Sequence, residues 1–113
     1  MSQTRPSIPP LIATYQAAHD RHDIGAALAV FAEDAVVQDD AEMWAGTDRI
    51  REWLAKTSAE YTYTRTLLGA EPTGTSSWLV RNRLEGNFPG NVVDLRYEFT
   101  LDGDRISALT IAP

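Results

Sequence analysis

Cysteine is absent from the 113 residues of this sequence, which excludes a disulfide framework, a thiolate nucleophile and a cysteine-based zinc site. Basic residues are scarce, since ten Lys and Arg stand against sixteen Asp and Glu and leave a net charge of −6. Nucleic acids and anionic membrane surfaces reward clustered positive charge, so we expect neither as a partner. No apolar run approaches the roughly 20 residues of a membrane helix, and the first ten residues lack the apolar segment of a signal peptide. These absences predict a soluble, cytoplasmic protein.

The length and the 43% content of hydrophobic residues fit a single domain, residues 1–113, with one core. Three stretches have the three-and-four spacing of amphipathic helices. The first begins at a Pro-Pro pair and places Tyr15, His19 and His22 on its inward face. The second has Asp23 as its N-cap and the third has Thr47. We therefore predict three helices in the N-terminal half of the chain.

Strand-like alternation dominates the rest of the sequence. Residues 35–39 predict a short strand that ends at Asp39, and residues 40–46 predict a loop that carries a large apolar side chain, Trp44. Beyond Glu60 the period falls to two, and strands are predicted at residues 61–70, 77–85, 92–101 and 105–111. Their short joints, among them an Asp-Gly hairpin signal, predict an antiparallel meander. The fold class is therefore α+β, a cone-shaped, curved antiparallel sheet packed against three N-terminal helices.

The same alternation assigns the faces of two central strands. Side chains predicted to point inward are Trp78, Val80, Asn82, Leu84, Val93, Leu95, Tyr97 and Phe99. Charged side chains predicted to point outward are Arg81, Arg83, Asp94, Arg96 and Glu98. The outer face of the sheet is therefore expected to carry a solvated charged surface, with cross-strand ion pairs or a subunit interface as alternatives.

Four motifs in this order of elements carry a family resemblance. They are the Tyr15 helix, the run Phe31-Ala-Glu-Asp-Ala-Val-Val-Gln-Asp39, Gly46 followed by Ile50 and Trp53, and the closing Asp-Gly-Asp-Arg-Ile hairpin. On these motifs the sequence resembles the nuclear-transport-factor-2-like superfamily, in particular its ketosteroid-isomerase-like and SnoaL-like polyketide-cyclase branches, over most of the chain. The resemblance implies a deep apolar pocket between helices and sheet, and a homodimer. Enzymes, binding modules and transport factors all use this fold.

The resemblance also implies catalytic roles for three residues. Asp39 falls where the isomerases place the carboxylate that shuttles a proton, and Tyr15 falls where they place a tyrosine that hydrogen-bonds the developing enolate oxygen. Tyr97 aligns with the second donor to that oxygen, which in the isomerases is a protonated Asp. The tyrosines that support the first tyrosine in some members are Phe31 and Leu54 here, and neither can donate a hydrogen bond. Steroid isomerisation itself is therefore in doubt.

Considered without the family, each of these residues has a plainer interpretation. Asp39 lies before a predicted loop, where Asp commonly bonds nearby backbone N–H groups; in an apolar pocket it would instead be a base with a raised pKa. Tyr15 is either a core tyrosine or a hydrogen-bond donor to a ligand. His19 is either a core or rim histidine or a group that binds the ligand. His22 is most simply a surface residue.

Six residues are predicted to bind a ligand in the pocket: His19, Trp44, Trp53, Trp78, Asn82 and Leu95. The aromatic rings suit a flat hydrophobic molecule, with plain core packing as the alternative for Trp53. An inward Asn82 needs hydrogen-bond partners, which a ligand could supply. No metal site is expected, because His19 and His22 lack a third ligand, and no cofactor is expected, because no phosphate loop or dinucleotide fingerprint occurs.

These features predict a cofactor-independent enzyme that isomerises, cyclises or dehydrates a small hydrophobic carbonyl compound. Asp39 would be the base, and Tyr15 and Tyr97 would donate hydrogen bonds to the developing oxyanion. The alternative is a non-catalytic module of the same fold that binds a small molecule or mediates dimerisation. A pocket plugged by Trp44 and Trp78 would favour that module.

Overall fold

The computed structural model describes residues 8–60 and 62–113. In these residues the order of elements is α1 (Pro10–Asp20), α2 (Ile24–Ala29), β1 (Phe31–Asp39), β2 (Glu42–Ala45), α3 (Thr47–Glu60), β3 (Tyr63–Pro72), β4 (Ser77–Gly86), β5 (Val92–Asp102) and β6 (Arg105–Ala112). The predicted first residue of β3, Tyr61, and the first seven residues lie outside this description. None of the helices in residues 8–60 and 62–113 has the length and apolar character needed to cross a bilayer.

The helices form where the spacing of apolar residues predicts them. Proline occupies the first turn of α1, where its missing N–H leaves no hydrogen bond unmade. The Asp23 carboxylate accepts a 3.1 Å hydrogen bond from the Ala26 N–H and so caps α2. Helix α3 buries one stripe, which contains Ile50, Trp53 and Leu54. Together the three helices cover one face of the sheet.

The described strands form one sheet in the order β2-β1-β6-β5-β4-β3. Strands β3 to β6 are the predicted antiparallel meander, and the predicted α+β class is confirmed. Inward and outward side chains alternate as expected, so that Val80, Asn82 and Leu84 are buried between the exposed Arg81 and Arg83. The sheet is nevertheless mixed, because β1 joins it by parallel pairing with β6.

Three local predictions were wrong. Strand β1 begins at Phe31, four residues before the predicted start at residue 35, because Phe31 pairs with Ile106 of β6. Residues 42–45 are strand β2 rather than part of a loop, and a two-residue turn, Asp40-Ala41, links them to β1. Trp44 pairs opposite Val37 and is buried, whereas its neighbour Met43 is 62% exposed; four residues are too few for this alternation to be evident in sequence. Helix α1 ends at Asp20, and His22 is exposed with a positive φ of 59°, so it does not share the inward face.

The pairing registers position the end of β1. Asp39 pairs with Ile111 on β6, and Ile111 pairs with Tyr97 on β5. Adjacent strands are about 4.8 Å apart, so Asp39 and Tyr97 lie about 10 Å apart on the same face of the sheet. Helix α1 covers that face with Tyr15, whose ring packs edge-on against Phe31 and Phe99. The sheet and the first helix thus direct three polar side chains towards one space.

Candidate functional site

A cavity of about 230 Å³ lies between the helices and the concave face of the sheet. The side chains that line it are Tyr15, His19, Asp39, Trp53, Thr57, Tyr63, Leu84, Phe88, Val93, Leu95, Tyr97 and Ile111. Most of these are apolar or aromatic, and the polar ones come from α1, β1, α3, β3 and β5. A mainly apolar hollow with a few convergent polar groups is the usual form of a small-molecule site.

Asp39 is the carboxylate of this cavity. Its Oδ2 accepts a 3.0 Å hydrogen bond from the indole Nε1–H of Trp53 on α3. Burial raises the pKa of Asp39 above its ordinary value, the Trp53 hydrogen bond opposes that rise, and the nearby Asp40 carboxylate adds to it. Oδ1 makes no hydrogen bond within residues 8–60 and 62–113, so it is the less engaged of the two carboxylate oxygens.

Tyr15 and Tyr97 bring two phenols to the same cavity. Neither hydroxyl has a hydrogen-bond partner among residues 8–60 and 62–113, so both protons are available to a ligand. Burial raises the pKa of Tyr15 well above 10.0, and the neighbouring Tyr97, Tyr63 and Asp39 raise it further. The pKa of Tyr97 is also raised, again chiefly by burial. Both phenols are therefore protonated donors at neutral pH.

A chain of hydrogen bonds runs along the wall formed by α1, α3 and β3. The Tyr63 hydroxyl lies 2.7 Å from Nδ1 of His19, and Nε2 of His19 lies 3.3 Å from Oγ1 of Thr57. The plane of the imidazole lies within 29° of the Trp53 ring and 28° of the Tyr63 ring, with centroids 6.1 and 6.2 Å away. Burial lowers the pKa of His19, so the ring is neutral at physiological pH.

The structure places six of the residues predicted from sequence around this cavity: Tyr15, His19, Asp39, Trp53, Leu95 and Tyr97. Three others do not line it. Trp44 faces a neighbouring groove and lies under the guanidinium of Arg49, 5.0 Å from the ring centroid. Trp78 pairs with Phe99 across β4 and β5. Neither tryptophan plugs the cavity.

Asn82 lies in a separate polar network beneath α1. It is fully buried, and its Nδ2 donates a 2.9 Å hydrogen bond to Oε1 of Gln16. Its Oδ1 accepts a 3.3 Å bond from Nη1 of Arg65, whose Nε and Nη2 donate to Asp20 at 3.0 and 2.8 Å. The chain itself therefore supplies the hydrogen-bond partners that a buried amide requires.

Six cavity residues were not among those predicted to form the site: Thr57, Tyr63, Leu84, Phe88, Val93 and Ile111. The signal for Tyr63 was available, since alternation along β3 turns Tyr63, Arg65 and Leu67 inward and the residues between them outward. Thr57 also lies on the same stripe of α3 as Trp53, one helical turn away. No group of three His, Asp or Glu side chains within the described residues is arranged to hold a metal ion.

Comparison with solved structures gives clear matches. The protein SMa1630 of Sinorhizobium meliloti, named as a candidate polyketide cyclase, is 32% identical over 93% of this chain and 95% of that chain, with a TM-score of 0.87. A ketosteroid-isomerase-like fold from Catenulispora acidiphila matches at 19% identity over 95% and 87% of the two chains, with a TM-score of 0.83. SalBIII, an epoxide hydrolase/cyclase-like enzyme of polyether salinomycin formation, matches at 17% identity over 89% and 85%, with a TM-score of 0.78.

No protein-family model matches the sequence, and no curated protein matches it. The S. meliloti relative shares nearly a third of its residues with this chain across almost the whole length of both, and the two more distant matches have the same fold. The chain therefore belongs to the nuclear-transport-factor-2-like superfamily, in the branch of its ketosteroid-isomerase-like and SnoaL-like polyketide-cyclase folds.

Proposed function

We propose that this protein is a cofactor-independent enzyme that removes a proton next to the carbonyl group of a small hydrophobic compound and so isomerises, cyclises or dehydrates it. One observation carries the proposal: a partly buried carboxylate, Asp39, shares a 230 Å³ cavity with two phenols whose protons have no partner in the described residues. The name of the S. meliloti relative supports a cyclisation.

In this mechanism Oδ1 of Asp39 accepts the proton from the α-carbon, and the electrons of the broken C–H bond move towards the carbonyl oxygen. That oxygen becomes an enolate, which accepts hydrogen bonds from the hydroxyls of Tyr15 and Tyr97. Burial favours Asp39 as a base, because a carboxylate with a raised pKa binds a proton more strongly. The protonated Asp39 can then return its proton to a different carbon of the same molecule.

The size of the cavity favours a compact substrate. A volume of about 230 Å³ lies below the roughly 300–1,000 Å³ of sites that bury drug-sized ligands. The apolar lining from Leu84, Val93, Leu95 and Ile111 suits one or two fused rings better than a long polar chain. Small cyclic ketones are therefore suitable probes of the proposed chemistry.

The experiment is proton exchange at the α-carbon. The protein is incubated in D₂O with 1-indanone, 2-indanone or 2-cyclohexen-1-one, and the loss of the α-proton signal is followed by NMR. Asp39→Asn should slow the protein-dependent exchange about 10²-fold or more, because general-base catalysis typically contributes 10²–10⁴-fold. Asp34→Asn is the matched control, since Asp34 is exposed on the same strand as Asp39 and does not line the cavity. Its exchange rate should equal that of the unaltered protein.

Two results would contradict the proposal. The first is equal exchange with Asp39→Asn and with the unaltered protein. The second is no acceleration over buffer for any of the three ketones, which would favour the alternative, a module that binds a small molecule without turnover.

A further inference from the structure

Along the wall formed by His19, Thr57 and Tyr63, the proton of the Thr57 hydroxyl determines which groups donate hydrogen bonds and which accept them. Oγ1 of Thr57 lies 3.1 Å from the carbonyl oxygen of Trp53 and 3.2 Å from that of Leu54. Carbonyl oxygens only accept hydrogen bonds, so the single proton of the Thr57 hydroxyl is donated to the helix backbone. Towards His19, Thr57 can therefore act only as an acceptor.

This direction assigns the tautomer of His19. Nε2 of His19 lies 3.3 Å from Oγ1 of Thr57 and must carry a proton to donate to it. In a neutral imidazole the other nitrogen, Nδ1, then carries a lone pair. Nδ1 lies 2.7 Å from the Tyr63 hydroxyl, so Tyr63 donates its proton to His19.

The three phenols of the cavity consequently differ in what they offer to a ligand. Tyr15 and Tyr97 have unengaged protons and act as donors, whereas the proton of Tyr63 is engaged by His19 and its oxygen presents a lone pair. The ring of Trp53 lies beside the imidazole, with the two centroids 6.1 Å apart. The wall thus offers a fixed acceptor in a mainly apolar cavity.

We propose that Tyr63 is a specificity-determining acceptor and that the substrate carries a hydroxyl group, separate from the reacting carbonyl, which donates to the Tyr63 oxygen. This inference rests on the proposed function and narrows its substrate class to small hydroxylated ketones. A ketone without the hydroxyl leaves the half-buried Tyr63 oxygen without a second hydrogen bond inside the cavity. A site that can pair with a substrate hydroxyl binds the analogue without that hydroxyl more weakly.

The test compares the binding of 1-indanone with that of its 4-, 5-, 6- and 7-hydroxy isomers, measured by calorimetry. The isomers carry the hydroxyl at different ring positions and keep the carbonyl at the same position, so the experiment identifies the position that reaches Tyr63. At least one isomer should bind about three- to tenfold more tightly than 1-indanone, which corresponds to one net hydrogen bond. Tyr63→Phe should reduce that ratio to about one.

Two further variants separate the acceptor role from simple packing. Thr57→Val is nearly isosteric and removes the acceptor for the Nε2–H of His19. The imidazole can then carry its proton on Nδ1 and donate to Tyr63, which releases the Tyr63 proton. The preference for the hydroxy isomer should fall although Tyr63 remains. Thr100→Val removes an exposed hydroxyl on β5 and should leave the preference unchanged. Nitrogen-15 NMR of the imidazole should show the proton of His19 on Nε2.

The inference is overturned if no isomer binds more tightly than 1-indanone, if Tyr63→Phe retains the preference, or if the proton of His19 lies on Nδ1. None of these readouts requires turnover. Loss of the hydroxyl preference with continued α-proton exchange would reject the role of Tyr63 alone. A preference for the hydroxy isomer that depends on Tyr63, observed without any α-proton exchange, would support Tyr63 as an acceptor and reject the catalytic proposal.

Discussion

Trp53 donates a hydrogen bond from its indole Nε1–H to Oδ2 of Asp39 at 3.0 Å, and so joins the third helix to the last residue of the first strand. The ring of Trp53 also lies beside that of His19, with the two centroids 6.1 Å apart. One tryptophan therefore holds the proposed base and borders the wall that presents Tyr63. Because the indole N–H favours the charged form of the carboxylate, it also opposes the effect of burial on the pKa of Asp39.

Trp53→Phe is expected to move the acid limb of the exchange rate to higher pH. The substitution removes a hydrogen bond that lowers the pKa of Asp39, and a base is active only when it is deprotonated. A hydrogen bond to a charged group contributes about 1.5 kcal/mol, which corresponds to about one pH unit. The measurement is the rate of α-proton exchange of 1-indanone against pH. Trp78→Phe, the same substitution outside the cavity, should leave the limb in place, and an unmoved limb in Trp53→Phe would contradict the assignment.

Asp39→Asn is expected to be more stable to heat than the unaltered protein at pH 7. Burial raises the pKa of Asp39 above 3.8, so between that value and the raised pKa the folded state binds more protons than the unfolded chain. The free energy of unfolding therefore falls as the pH rises through this window and stays lower above it. Asparagine has no charge to bury, and its carbonyl oxygen can still accept from Trp53.

The measurement for this stability prediction is the Tm of Asp39→Asn and of the unaltered protein at pH 3 and pH 7. The difference should be small at pH 3, where the carboxyl is protonated in both states, and larger at pH 7. Asp34→Asn, the control on the exposed side of β1, should show no such pH-dependent gain. A lower Tm for Asp39→Asn at pH 7 would mean that the carboxylate stabilises the fold.

Tyr15→Phe and Tyr97→Phe are each expected to slow exchange by roughly 10²-fold, because removing one donor from an established oxyanion site costs about 10²–10³-fold in rate. Both rings should keep their packing against Phe99, since only the hydroxyl is lost. Rates measured at several ketone concentrations should show the loss mainly in kcat. Thr100→Val is the control for removal of a hydroxyl on β5. Full activity in either tyrosine variant would remove that phenol from the mechanism.

Asn82→Leu is expected to destabilise the fold by about 1–3 kcal/mol, because it leaves the buried Gln16 oxygen without its donor. The double variant with Gln16→Leu should recover part of that loss, since replacing both partners removes the unpaired group. Urea denaturation measures these differences. Gln38→Leu on the exposed outer face should stay within about 0.5 kcal/mol of the unaltered protein. Additive losses in the double variant would show that the two side chains are not coupled.

Several features were available from short stretches of sequence. The faces of β4 and β5 follow from strict alternation between charged and apolar residues, and the start of α2 follows from Asp23, whose side chain caps the next turn. The meander follows from four alternating runs with short joints. Each of these signals depends on neighbours within a few residues, so no knowledge of distant contacts was needed.

Other features required long-range pairing. Strand β2 was missed because Glu42–Ala45 becomes a strand only by pairing with β1. The inward orientation of Asn82 was predicted correctly, but the structure shows that Gln16 and Arg65 take up its hydrogen-bonding capacity. No periodic pattern in the sequence reveals that such partners, 66 and 17 residues away, are already present.

Local backbone preference and the periodicity of apolar residues were enough to predict the three helices, the inward faces of the meander strands and a carboxylate at the end of β1. Asp39, Tyr15 and Tyr97 share one cavity only because β1 pairs in parallel with β6 and α1 packs on the sheet. The proposed acceptor role of Tyr63 likewise depends on contacts between residues far apart in sequence, from Thr57 through His19 to Tyr63.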